Sequence, residues 1–264
     1  MASASSSSKI QPFEIFSSVR FDTDLPDVAC RFAQCYPTPH HSPYYLLAYH
    51  QDRLIAAARH FLMKKALDWL QRDLESFEQF LDASIPDRSK PWRLRIVVNN
   101  NGNCTVEVNP TAAIDIMGLL IPTLHTDPAV PVWKVYVDTQ FIIPSGFTTH
   151  KTTARDDYTA ARLRAGIKSP AETSEVLLVN PNNEVMEGSI TTVYFQREHM
   201  WITPPLSSGG NAGTTRRYAL SQGFCVEQVI SRDDLVDGEL CWLSNGVLAA
   251  NYECMTTIGI ERYR

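Results

Sequence analysis

Hydrophobic positions along this chain recur at two different spacings, and the switches between them outline most of its elements. Phe13, Ile15 and Phe16 supply the apolar side of a run that ends at Phe21, which predicts a strand with one buried face. Residues 22–43 hold several prolines and His40-His41, and read as an irregular loop with exposed histidines. From Tyr44 to Leu81 the spacing is helical: Leu47, Leu54, Ala58 and Phe61 recur, and so do Leu62, Ala66 and Leu70. Trp92 to Val108 returns to alternation, with Arg93, Arg95 and Val97 against Leu94, Ile96 and Val98. The stretch Asn99-Asn100-Asn101-Gly102-Asn103 would turn one antiparallel strand into the next.

Leu119 to Pro131 contains three prolines and few charges, as an interdomain connection would. Placing that linker at 122–131 leaves a smaller unit at 10–121 and a larger one at 132–264. In the larger unit, Val132 to Ile143 reads as a strand, Asp156 to Ala165 as a helix and Glu175 to Val179 as a buried strand. Pro181 to Glu184 is a turn, Met186 to Phe195 one continuous strand, and Met200 to Thr203 a short one. A helix is expected from Arg216 to Gln222.

Composition narrows the function classes. Hydrophobic residues make up 44% and charged ones 20% of the 264 residues, which suits an ordinary soluble globular protein with ample core material. A formal charge of -5 and a pI near 5.8 argue against a nucleic-acid partner. The longest apolar run, around Ile114 to Pro122, is interrupted by Asp115, so no membrane span is expected. Six cysteines show neither a CxxC pair nor zinc spacing; buried, reduced thiols and no metal site follow. Met1 to Lys9 is serine-rich, with neither an apolar core nor arginines. It reads as a disordered tail, and the cytoplasm is the default location.

Three features carry chemistry. Lys151 follows a Gly-Phe-Thr-Thr segment, Glu187 follows apolar Val185 and Met186, and Ser208 to Thr215 is a glycine-rich turn before the last helix. Each has a bland reading alone: a surface lysine, a strand-end charge, a common turn. The turn is no P-loop, for it lacks GK[ST]. His50 and Arg53 likewise read as part of a solvated helical face. Taken together and in this order, the three suggest a pyridoxal phosphate site. The lysine would take the aldehyde, the carboxylate would face the ring nitrogen, and the turn would hold the phosphate at a helix start.

Several segments resemble the fold-type IV, pyridoxal-phosphate-dependent enzymes of aminotransferase class IV, and among them the 4-amino-4-deoxychorismate lyases of the fungal type. They are FExxxSxRFD at 13–22, LLAYHQDRLIAAARHF at 46–61, HKTTARDDY at 150–158, EVLLVNPNNEVMEGSITTVYF at 175–195, ITPPL at 202–206, GTTRRYAL at 213–220 and WLSNGV at 242–247. The resemblance implies an α/β (α+β) fold with a small N-terminal α/β domain and a larger C-terminal pseudo-barrel domain, in a homodimer. It implies Lys151 as the lysine that bonds the cofactor and Glu187 as partner of the pyridine nitrogen. Arg53, Thr214 and Thr215 would bind phosphate, Tyr158 would lie beside the phenolic oxygen, and Ser244 and Asn245 would line the last loop. The implied reaction gives 4-aminobenzoate and pyruvate.

Two departures stand out. Thr191-Thr192 replace a segment in which the family often has asparagine. Leu248-Ala249 stand where relatives commonly have Arg-Gly. If that arginine holds a substrate carboxylate in relatives, Arg20, Arg155 and Arg216 are the candidates here. A class IV transaminase of the same fold is the first alternative, since Lys151 and Glu187 would serve either reaction. A cofactor-free binding homologue is the second.

Overall fold

The computed structural model of the protein describes residues 12–33, 36–120, 133–169, 172–247 and 249–257. The expected tail at 1–9 and the expected linker at 122–131 lie outside these residues, as does Leu248.

The first half builds an antiparallel three-stranded sheet backed by helices. Strand β1 (Ile15–Phe21) pairs with β2 (Trp92–Val98), which pairs with β3 (Cys104–Pro110). The β2–β3 turn closes as expected: the Asn99 side chain accepts from the Asn101 and Asn103 amides, and Gly102 takes a φ of +80°. Against this sheet lie α2 (Leu47–His60), α3 (Lys64–Leu70) and α4 (Leu74–Asp82). Asp73 caps α4 by accepting from the Ser76 amide. Ile15, Val19, Leu54, Phe77, Leu94 and Ile96 are at the centre of their shared core, where truncating a leucine or isoleucine to alanine costs about 2–5 kcal/mol.

The loop expected over 22–43 contains a helix, α1 (Leu25–Phe32). Its proline, Pro26, sits at the first turn, where a missing N–H costs nothing, so it starts the helix rather than preventing one. Cys30 on this helix is exposed, unlike buried Cys225 and Cys241, so the expectation of buried thiols holds for only part of the set. Short α5 (Met117–Leu120) ends the half.

The second half is a mixed eight-stranded sheet. It comprises β4 (Trp133–Phe141), β5 (Ser174–Val179), β6 (Val185–Gly188), β7 (Thr192–Arg197), β8 (Met200–Thr203), β9 (Cys225–Glu227), β10 (Leu240–Ser244) and β11 (Ala249–Thr257). Their order is β6-β5-β4-β11-β10-β7-β8-β9. A bridge from Glu184 to Ser231 and a bond from the Val185 amide to the Ile230 carbonyl carry the chain leaving β9 back to β6. The sheet thereby curls toward closure, which is the pseudo-barrel. The single strand expected over 186–195 is two, broken at residues 189–191. Three helices accompany the sheet: α6 (Gly146–Thr149), closed by a Ser145/Thr148 capping box, α7 (Asp156–Arg164) and α8 (Thr214–Ser221).

Backbone hydrogen bonds along β1 help to join the halves. The Phe16 amide donates to the Lys151 carbonyl at 3.0 Å, and Glu14 and Thr153 exchange two bonds beside it. Further along β1, the Arg20 amide donates to the Gly246 carbonyl. No described helix is long and apolar enough to cross a membrane.

Candidate active site

Lys151 leaves the end of α6 against the face of the Phe16 ring, its Nζ 5.2 Å from the ring centroid. Burial, and after it the nearby guanidiniums of Arg155 and Arg53, push the amine well below the usual lysine range. Glu187 and Glu175 pull the other way without prevailing.

Glu187 ends β6. Its carboxylate accepts from the Tyr158 hydroxyl at 2.6 Å, and the Asn211 amide also bonds to it. Burial raises its proton affinity, against the lowering effect of Tyr158, Lys151 and Arg155. Tyr158 is held in turn by burial and by that carboxylate, both of which push its phenol up. The glycine turn lies directly on this strand: a Cβ on Gly210 would stand 2.5 Å from the Met186 carbonyl oxygen, so only glycine permits the approach.

Behind Glu187 lies a residue that the sequence did not single out. Glu175 opens β5, fully buried, and receives the Ser189 amide (3.0 Å), the Ile190 amide (3.0 Å), the Thr191 hydroxyl (2.7 Å), the Ser189 hydroxyl and the Val176 amide. Arg162 stands 3.6 Å away. These bonds fix residues 189–191, the break between β6 and β7. A lone carboxylate heading the apolar run Val176 to Val179 was the available signal, because a buried charge needs dedicated partners.

Arg53 and His50 lie on α2 near Lys151, so the bland reading of a solvated face does not hold for them. His50 is fully buried, Nδ1 2.6 Å from the Ser17 hydroxyl, and Arg53 donates to the same hydroxyl. Burial, then Arg53 and Lys151, drive the His50 imidazole well below its usual range; burial lowers Arg53 to about 10. Gly246 closes over His50, where a Cβ would meet the ring at 2.5 Å.

Beside α2, where Arg217 of α8 pairs with Asp52 at 3.0 Å, α8 presents its N-terminus. Thr214 and Thr215 form the first turn, Gly213 provides no side-chain cap, and Ser244 at the end of β10 donates to Thr215 at 2.7 Å. Asn245 follows, its side chain accepting from the Val247 amide. Among the described residues, four buried polar atoms in this region lack any partner: His50 Nε2, Arg53 Nε, Asn211 Oδ1 and Thr214 Oγ1. Such atoms are costly unless something binds them.

The three candidate arginines differ. Arg20 is fully buried, donating twice to Asp22 and once to the Ala112 carbonyl. Arg216 donates to the Pro204 carbonyl and pairs with Glu227. Arg155 alone of the three borders Lys151 and Glu187. It lies 4.0 Å over the Tyr158 ring and donates to the Ser189 carbonyl. His41 Nδ1 is 3.6 Å from Cys30 Sγ, but no group of metal-binding side chains occurs among the described residues.

The arrangement is a half-buried amine of low proton affinity near a half-buried carboxylate, with the guanidiniums of Arg53 and Arg155 close by. The profile of the amino-transferase class IV family matches residues 38–250. Aminodeoxychorismate lyase of Saccharomyces cerevisiae is 30% identical over 185 residues, 60% of this chain and 50% of that protein, so the match spans half the yeast protein's length. A Schizosaccharomyces pombe protein provisionally given the same name is 28% identical over 76% of this chain and 80% of its own. Among solved structures, a branched-chain aminotransferase from Thermoproteus uzoniensis superposes with a TM-score of 0.60 at 16% identity, covering 93% of this chain and 77% of its own.

Proposed function

The chain belongs to the amino-transferase class IV family, and from that premise we propose that it binds pyridoxal phosphate and converts 4-amino-4-deoxychorismate to 4-aminobenzoate and pyruvate. The similarity to the yeast lyase supports the substrate, and the four unpartnered buried atoms support the cofactor. Arg53 and Arg155 lie near Lys151 and Glu187, so these surroundings favour an anion that can accept hydrogen bonds.

In this reading Lys151 holds the cofactor's aldehyde carbon, Glu187 its ring nitrogen and Tyr158 its phenolic oxygen. Arg53 and the first turn of α8 hold the phosphate, where free N–H groups and the helix dipole favour an anion. Ser244 and Asn245 line that side. Once bound, the cofactor supplies an electron sink for negative charge at the amine-bearing carbon of the substrate. Lys151 Nζ, freed when the substrate's amine takes its place, would take the proton from that carbon, a task suited to an amine whose proton affinity burial has lowered. Glu187, fixed by Tyr158, keeps its proton partner in place while charge moves. Breaking the neighbouring carbon–oxygen bond releases enolpyruvate, which gains a proton to become pyruvate, and the ring becomes aromatic. Arg155 meets a substrate carboxylate, because Arg20 and Arg216 already have anionic partners.

The same proposal takes the two sheets as two domains, 10–121 and 132–264, in a cytoplasmic homodimer. The test is to supply aminodeoxychorismate and follow both products. Equal amounts of 4-aminobenzoate and pyruvate are expected. Neither product, from protein that transfers an amino group to a keto acid instead, would replace the lyase by a transaminase.

A further inference from the structure

Three hydroxyls meet between the core of the second half and the N-terminus of α8. The Tyr194 hydroxyl lies 3.0 Å from Ser244 Oγ, and Ser244 Oγ lies 2.7 Å from Thr215 Oγ1. All three residues are buried, Tyr194 completely, with its ring stacked on Trp242 at 4.3 Å between centroids. Thr215 also bonds to the Tyr194 hydroxyl, so the three hydroxyls close on one another.

Ser244 donates to Thr215, which commits its one proton. A phenol in a dry core that donates to nothing leaves its proton unsatisfied, so Tyr194 donates to one of its two neighbours. Thr215 lies in the first turn of α8, beside the unpartnered Thr214 Oγ1 and the N–H groups that a helix start leaves without intrahelical acceptors.

We propose that Tyr194 is a positioning residue for phosphate binding: by bonding both Ser244 and Thr215 it holds their hydroxyls in one arrangement at the N-terminus of α8, where the cofactor's phosphate would sit. The inference rests on the cofactor reading above. Without Tyr194, the Ser244 and Thr215 hydroxyls could turn to other arrangements, and the cradle would meet the anion in that geometry for only part of the time. The Tyr194 ring is far enough into the core that it needs no contact with the cofactor to act.

The experiment compares binding of pyridoxal phosphate and of unphosphorylated pyridoxal to the apo protein by calorimetry, for wild type, Tyr194→Phe and Ser244→Ala. Phenylalanine keeps the stacked ring, and thermal melting checks that each variant folds. Both variants should bind pyridoxal phosphate roughly three- to tenfold more weakly, the scale of one hydrogen bond, with pyridoxal binding unchanged. Unchanged phosphate affinity in Tyr194→Phe overturns the inference, as does an equal loss for both ligands, which would mark a packing role. A wild type that binds pyridoxal phosphate no better than pyridoxal overturns the cofactor reading, and this inference with it.

Discussion

Glu175 and Glu187 lie on adjacent strands, β5 and β6, the first fully buried and the second half-buried, and they are treated in opposite ways. Glu175 has its oxygens filled by three backbone amides and two hydroxyls, with Arg162 near by. Glu187 has one tyrosine hydroxyl and one amide, and faces an amine whose proton affinity burial has lowered. The first carboxylate holds a turn in place. The second is under-partnered, with its proton affinity raised, as a carboxylate that waits for a ligand would be. Burial alone therefore does not mark a functional acid; the shortage of partners does.

Glutamine substitutions separate the two. Glu187→Gln should reduce product formation by about a thousandfold, the scale of losing one electrostatic contact that matters at the reacting centre, while its melting temperature stays level or rises. Steady-state rates alongside a thermal melt would show it, and a variant with near-normal turnover would remove the contrast. Glu175→Gln should do the reverse. Turning an amide N–H₂ toward the Ser189 and Ile190 amides should cost about 3 kcal/mol of stability. Urea denaturation measures that loss, and an unchanged midpoint would mean that residues 189–191 are held by something else.

The same distinction divides the arginines. Arg53→Ala should weaken pyridoxal phosphate binding by roughly thirtyfold, whereas Arg216→Ala, which loses its pairing with Glu227, should leave that affinity within about twofold. Equal effects in a binding titration would contradict the division.

The smallest effect is one of pH. His50 is held neutral in the folded state, its proton affinity lowered by burial and by Arg53. Below the ordinary histidine value near pH 6.5, the unfolded chain therefore binds a proton that the folded chain refuses. Stability falls as pH drops, by up to about 1.4 kcal/mol per unit. Denaturation at about pH 7.5 and 5.5 should show that slope in the wild type and a shallower one in His50→Asn; parallel slopes would clear His50 of the effect.

Much of the scaffold was legible because it is local. Alternation gave β1, β2 and β3, and the Asn99–Asn103 turn needed only its own residues. Helix α1 was hidden by prolines read as breakers, although Pro26 stands where a helix begins. The break at 189–191 was invisible because its cause, Glu175, lies on another strand. His50 looked solvated for a similar reason: what buries it is Gly246 and Ser17, far away in the chain. Lys151, Glu187 and Thr214-Thr215 could be picked out by order and spacing. Their convergence and the missing partners around them required the fold.

The account depends most on Lys151 as the point where the cofactor attaches. Adding pyridoxal phosphate to the apo wild type and to Lys151→Ala, while recording the visible spectrum, tests that directly. A new absorption band in the wild type that borohydride makes permanent on Lys151, and no band in the variant, is the predicted result. The same band in Lys151→Ala, or a reduced adduct on another lysine, would contradict it.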